Sequence, residues 1–71
     1  MEREYVSSSM ISSIGYDPTT STLEIEFKND GSVWQYHDYP ENNYYDFRNS
    51  GSLGKYFHAN IKGQYSESRV G

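Results

Sequence analysis

The sequence contains no cysteine. Disulfide bonds, thiol nucleophiles and cysteine-ligated zinc sites are therefore excluded. Long hydrophobic runs are also absent, since no window approaches the roughly 18 apolar residues that cross a bilayer. Residues 1–4 do not resemble the start of a signal peptide. We therefore expect a cytoplasmic protein without a membrane segment, which is stabilised by side-chain packing alone.

Aliphatic side chains are scarce. Leu, Ile, Val and Phe make up 12 of the 71 residues, a share below the roughly 20% at which chains tend to be disordered. Eight Tyr, three Phe and one Trp supply the missing apolar area, because each aromatic ring buries about 150 to 250 Å². A chain of this length has room for one small domain. The composition therefore predicts a single domain with a tyrosine-rich core.

Basic residues are few as well. Six Lys and Arg stand against ten Asp and Glu, which gives a net charge of -4. Nucleic-acid-binding proteins usually carry a basic face, because neutralisation of phosphates supplies most of their affinity. The charges here are scattered along the chain, so RNA binding would require the few cations to cluster in the fold.

Three segments have the character of β-strands. The clearest is 22–28, where apolar and polar side chains alternate. Turns rich in Asp, Pro, Asn and Gly flank it on both sides. The sequence predicts a three-stranded antiparallel meander with strands at about 9–16, 22–28 and 32–38. One side of this sheet would bury Leu23, Ile25 and Phe27, and the other would expose Glu24, Glu26 and Lys28.

Two short helices are predicted in the second half, at about 40–49 and 53–62. Pro40 suits a first helical position, and Ser52 suits an N-cap. Helical spacing places one apolar stripe against the sheet, made of Phe47, Leu53, Phe57 and Ile61. The prediction is an α+β fold with a single domain at 9–65, a flexible N-terminus at 1–8 and a flexible C-terminus at 66–71.

Several motifs occur in an order that resembles the KTSC family, which is named for a domain at the C-terminus of some lysyl-tRNA synthetases. They include Ile14-Gly15-Tyr16-Asp17, Thr22-Leu23-Glu24-Ile25-Glu26-Phe27, Tyr39-Pro40 and Ser52-x-Gly54-Lys55-Tyr56-Phe57, followed by Ile61 and Tyr65. The resemblance covers about residues 8–65. The chain differs from the family pattern at two places: Trp34-Gln35-Tyr36 replaces a central Tyr-x-Tyr, and His58 replaces the Asn that usually follows Tyr-Phe.

The resemblance implies a small stand-alone protein from a bacterium or phage. The function of the family is not established. RNA binding is suggested for it by the fusion to a synthetase, which is an argument from domain company.

No catalytic or metal-binding motif is present. His37 and His58 are the only histidines, and no serine lies in a nucleophile motif. The spacing of His37, Asp38 and His58 matches no metal site. We therefore expect a protein that is not an enzyme and that carries neither a metal nor a cofactor.

The aromatic residues of the third strand suggest binding, but they have two interpretations. Trp34 and Tyr36 lie on one face of that strand, and Val33 lies on the other. If Val33 faces the core, the two rings are displayed and can stack on bases. If the rings face the core, they replace missing aliphatic residues, and the scarcity of such residues favours this interpretation. Tyr45 is expected to be exposed, because it lies off the predicted apolar stripe of its helix.

Three binding functions are compatible with these observations. The leading hypothesis is a protein-interaction module that contacts an unknown partner or a second copy through an aromatic-edged surface, because an acidic surface repels phosphate. The second is an RNA-binding domain, in which Arg48, Lys55 and Lys62 would contact phosphates. The third is a protein that sequesters a small nucleotide. The candidate binding residues are Trp34, Tyr36, Tyr45, Arg48, Lys55 and His58.

Overall fold

The computed structural model describes all 71 residues. Five strands form one antiparallel sheet in chain order. They are β1 (Glu4–Tyr5), β2 (Ile11–Asp17), β3 (Thr22–Phe27), β4 (Val33–Tyr36) and β5 (Glu67–Arg69). Helices α1 (Glu41–Arg48) and α2 (Leu53–Asn60) connect β4 to β5, and neither is long and apolar enough to cross a membrane. The predicted α+β class and both predicted helices are confirmed.

The predicted number of three strands is wrong, because the two ends of the chain each add a strand. β1 pairs with β2, where Tyr5 lies opposite Ser13. β5 pairs with β4, where Arg69 lies opposite Trp34. Both added strands are too short and too polar to show an alternating pattern. They form because each neighbouring strand presents unpaired backbone N–H and C=O groups along its edge.

The core lies between one side of the sheet and the two helices. The buried cluster consists of Ile11, Ile14, Leu23, Ile25, Tyr36, Tyr39, Phe47, Leu53, Phe57 and Ile61. It contains most of the predicted core residues, and Phe27 packs against it from a half-buried position. Two of its members are tyrosines, so the expectation that aromatic rings supplement a small aliphatic core is confirmed.

A bulge in β2 explains why its sequence does not alternate. Ile11 lies opposite Phe27 and Ser13 lies opposite Glu26, which leaves one extra residue on β2. Such an extra residue shifts the following side chains to the other face of the strand. Ile11 and Ile14, three positions apart, are therefore both fully buried on the helix-facing side.

The second side of the sheet is polar, and the N-terminal segment covers part of it. Contrary to the expectation of an exposed face, Glu24 is only 6% exposed. Its carboxylate accepts hydrogen bonds from the Arg3 guanidinium and from Gln35 Nε2, the latter at 2.9 Å. Burial acts to raise the pKa of Glu24, but the hydrogen bonds from Gln35 and Arg3 and the charge of Arg3 outweigh it and lower the pKa below 4.5.

Candidate functional site

Trp34 and Tyr36 lie on the helix-facing side of β4, opposite Ile25 and Leu23 of β3. Tyr36 is 2% exposed, and burial together with the nearby charge of Glu67 raises the pKa of its hydroxyl. Trp34 is half-buried against the core. The structure therefore selects the core interpretation for both rings, and Tyr36 has no exposed surface on which a base can stack.

Two other candidates, Tyr45 and Arg48, lie on α1. Tyr45 is 50% exposed, as expected, and its ring centroid is 6.0 Å from that of Tyr44. Arg48 is paired with the carboxylate of Glu4 in β1. The hydrogen bond and the charge of Glu4 raise the pKa of Arg48. Arg48 therefore neutralises a carboxylate of this chain, which leaves little of its charge for a phosphate.

Two grooves open on the surface. The N-terminal groove, of about 480 Å³, lies between residues 1–4, β2 and the ring of Tyr44. Most of its charged side chains have partners inside the chain: Arg3 pairs with Glu24, Glu4 pairs with Arg48, and Asp17 Oδ1 accepts from the Thr19 backbone N–H at 2.9 Å. These pairs leave this groove few groups for a ligand.

The second groove, of about 490 Å³, lies between the end of β3 and the C-terminal end of α2. We call it the lysine groove, after Lys28 and Lys62, which line it together with His58. Its other polar lining residues are Ser9, Asn29 and Ser32, and its apolar lining residues are Met10, Phe27 and Phe57. Of the six candidate residues, only His58 lies in this groove.

Most polar side chains of the lysine groove have no partner within the chain. Neither a hydrogen bond nor an ion pair engages the side chains of Ser9, Lys28, Asn29, His58 and Lys62. Ser32 is the exception, because its hydroxyl donates to Asp30 Oδ1 at 2.6 Å and accepts from Trp34 Nε1 at 3.3 Å. The groove therefore presents several side-chain donors whose hydrogen-bonding capacity is open to a ligand.

The cations of this acidic protein are unevenly distributed. Both ion pairs of the structure use arginine, and the third arginine, Arg69, donates from Nε to the Gly71 carbonyl at 2.9 Å. The three lysines pair with no carboxylate. Two of them line the lysine groove, and no carboxylate lines it. The third, Lys55, is exposed on α2 outside this groove.

The nearest carboxylate along the chain from Lys28 is that of Asp30, in the β3–β4 turn. It accepts hydrogen bonds from the Ser32 hydroxyl and from the Ser32 backbone N–H, the latter at 3.0 Å. These hydrogen bonds lower the pKa of Asp30. Because they hold the carboxylate within its turn, the groove keeps a surplus of positive charge and is suited to an anionic group.

Sequence reasoning missed Lys28 as a site residue. The alternation of β3 placed Lys28 on the polar side of the sheet, but the strand ends at Phe27, and a side chain beyond a strand does not follow its alternation. The spacing of His58 and Lys62 along α2 is visible in the sequence. Their approach to Lys28 is not, because it depends on how α2 packs on the sheet. No group of three or more His, Asp or Glu side chains lies close enough together to hold a metal ion.

Known proteins resemble this chain in both sequence and structure. A lysine–tRNA ligase from Nostoc sp. is 42% identical over 62 residues, which are 87% of this chain and 11% of the ligase. An uncharacterized protein from Stutzerimonas stutzeri is 34% identical over 65 residues, which are 92% of this chain and 90% of that protein. This chain therefore spans only a small part of the ligase.

A solved structure shows the same fold. The crystal structure of a KTSC domain protein from Yersinia pestis superposes with a TM-score of 0.94 at 41% identity, over 99% of this chain and 97% of that one. The family model for the KTSC domain matches residues 7–65. On this match and on the two full-length similarities, the chain belongs to the KTSC domain family.

Proposed function

We propose that this domain is a non-catalytic RNA-binding module that holds phosphate groups in the lysine groove. The observation that carries the proposal is the convergence of Lys28, His58 and Lys62 on one groove that no carboxylate lines. The ammonium groups of lysine bind phosphate as point charges. The net charge of -4 opposes long-range attraction of RNA, so the proposal predicts modest affinity confined to a small contact area.

The similarity to a lysine–tRNA ligase supports this proposal. A segment like this chain occurs in a protein whose name includes a tRNA, and a phosphate-binding groove is compatible with such a setting. Because the matched segment is 11% of that protein, the proposal concerns RNA binding alone and not the ligase reaction.

The test is a titration of a single-stranded RNA of about six nucleotides, a length within the range that small binding domains cover. The variant Lys28→Ala/Lys62→Ala should bind more weakly than the wild type. Its log–log salt slope should be shallower by about 1.4, because each lost phosphate contact on a single strand removes about 0.7. Lys55→Ala is the matched control, since it removes the same type of charge outside the groove and should change the slope little.

Two results would contradict the proposal. One is an unchanged salt slope in the double variant, which would place the phosphate contacts elsewhere. The other is an equal effect of Lys55→Ala, which would indicate a general response to net charge. Circular dichroism of all variants checks that the fold is retained.

Protein interaction is the second candidate, and the exposed rings of Tyr5 and Tyr45 favour it. The free sheet edge on which the sequence hypothesis relied is absent, since β5 pairs with β4. Only β1, of two residues, and β5, of three, remain as edge strands, and edges this short offer few backbone groups to a partner. The geometry therefore favours RNA binding over strand addition.

A further inference from the structure

The lysine groove combines two kinds of surface, although a site for phosphate alone needs only one. Lys28 and Lys62 contribute positive charge, and Met10 and Phe27 contribute apolar lining. Phe27 is half-buried and its ring centroid is 5.3 Å from that of Phe57. Aromatic rings and thioethers both pack favourably against flat rings. A ligand that uses the whole groove therefore has an anionic group next to a planar apolar one.

The remaining polar groups suit the same ligand. The Ser9 hydroxyl and the Asn29 amide line the groove without a partner in the chain, and such groups bond to the edges of unpaired bases. The volume of about 490 Å³ lies within the roughly 300 to 1,000 Å³ of sites for small ligands. A groove of this size accepts a single base and excludes a stacked base pair.

We infer that the lysine groove takes one unpaired nucleotide, with its base against Phe27 and Met10 and its phosphate between Lys28 and Lys62. The inference rests on the proposed function for the source of that nucleotide, which is a single RNA strand. A free nucleoside monophosphate has the same chemistry, and the experiment separates the two sources.

Trp34 provides the readout. It is the only tryptophan, and its Nε1 donates to the hydroxyl of Ser32, which lines the groove. The emission of Trp34 is recorded during titration with four probes: a short RNA strand, a ribose-phosphate backbone of the same length without bases, a blunt RNA duplex of the same sequence, and adenosine monophosphate. The intact strand should bind roughly 5- to 150-fold more tightly than the abasic backbone, the range expected for one stacked base. The duplex should bind no better than the abasic backbone.

Phe27→Leu separates stacking from charge. It removes the aromatic face but keeps an apolar side chain of similar reach, so the packing against Phe57 is largely preserved. The variant should lose most of its preference for the intact strand and should bind the abasic backbone as the wild type does. Tyr45→Leu, a change on α1 outside the groove, is the matched control and should leave all four affinities unchanged.

Three outcomes overturn one or both proposals. If the strand, the abasic backbone and the duplex bind equally and Phe27→Leu has no effect, the nucleotide inference fails and RNA binding through phosphate stands. If adenosine monophosphate binds as tightly as the strand, the nucleotide inference holds and the RNA-binding proposal fails. If no probe binds, both fail.

Discussion

At the scale of single residues, Glu24 shows how this fold holds a buried charge. Only one side of the sheet has helices to cover it, and the other side is closed by hydrogen bonds between polar side chains. Arg3 donates to both Glu24 and Ser13, and the Ser13 hydroxyl donates to Glu26 Oε1 at 2.9 Å. No buried side-chain N or O atom is left without a partner. A buried network of this kind stabilises a fold only when all its members are satisfied.

Glu24→Gln tests this network. The variant should lower the free energy of unfolding at pH 7 by about 1 to 3 kcal/mol, because hydrogen bonds to a charged acceptor are lost. The folded pKa of Glu24 lies below 4.5, so the ionised carboxylate stabilises the fold above that value, and this contribution is lost as the pH falls through the folded pKa. The difference between the wild type and the variant should therefore shrink below pH 4.5 in urea unfolding.

The control for this prediction is Asp46→Asn, which neutralises an exposed carboxylate on α1. It should change the free energy of unfolding by less than about 0.5 kcal/mol, as is usual for exposed substitutions. A difference between wild type and Glu24→Gln that stays constant from pH 7 to low pH would contradict the assigned role of the charge.

At the scale of elements, α2 positions the cationic side of the lysine groove. It begins at the N-cap Ser52, whose hydroxyl accepts from the Lys55 backbone N–H at 3.3 Å. Leu53 and Phe57 anchor it to the sheet, so the remaining side of the helix, with His58, faces outward. Helix α1 begins at Pro40 and has no side-chain cap. The capped helix is therefore the one that carries a groove residue.

Ser52→Ala should destabilise the protein by about 0.5 to 2 kcal/mol, the usual cost of losing an N-cap. Amide hydrogen exchange should show faster exchange in the first turn of α2, where the uncapped N–H groups lie. Ser66→Ala, which removes an exposed hydroxyl without a partner in the chain, is the control. Equal exchange rates in α2 of the wild type and Ser52→Ala would show that packing alone holds this helix.

At the scale of the whole molecule, the N-terminal segment and the sheet depend on each other. Gly15 is buried in β2, and the backbone of residues 2 and 3 crosses directly over it. A Cβ atom at Gly15 would lie 2.4 Å from the carbonyl oxygen of Glu2. That separation is far shorter than van der Waals contact, so any larger side chain displaces the segment that brings Arg3 to Glu24.

Gly15→Ala should therefore lower the free energy of unfolding by about 1 to 3 kcal/mol, as overpacked sites do. It should also increase amide exchange at β1. Gly51→Ala is the matched control, since a Cβ atom at Gly51 would meet nothing within 4 Å. If Gly15→Ala is as stable as the wild type and β1 exchanges at its normal rate, then the N-terminal segment does not pack on the sheet in solution.

The predictions that succeeded concern contacts between residues close in sequence. The alternation of Leu23, Ile25 and Phe27 is decided by the period of a strand, and the stripe from Leu53 to Ile61 is decided by the period of a helix. Ser52 is an N-cap because its hydroxyl reaches a backbone N–H three residues later. The scarcity of aliphatic residues favoured a core position for Trp34 and Tyr36, because a small domain needs large apolar side chains inside.

The sequence by itself thus determined the α+β class, the two helices, the three central strands and most of the core, because periodicity and capping act within a few residues. Only the tertiary structure decided that the chain ends add β1 and β5, that Arg3 buries Glu24, and that Lys28 meets His58 and Lys62. Each of these contacts joins residues far apart along the chain. Their pairing depends on which strand edge and which helix side are left open once the core has packed, and no local pattern records that.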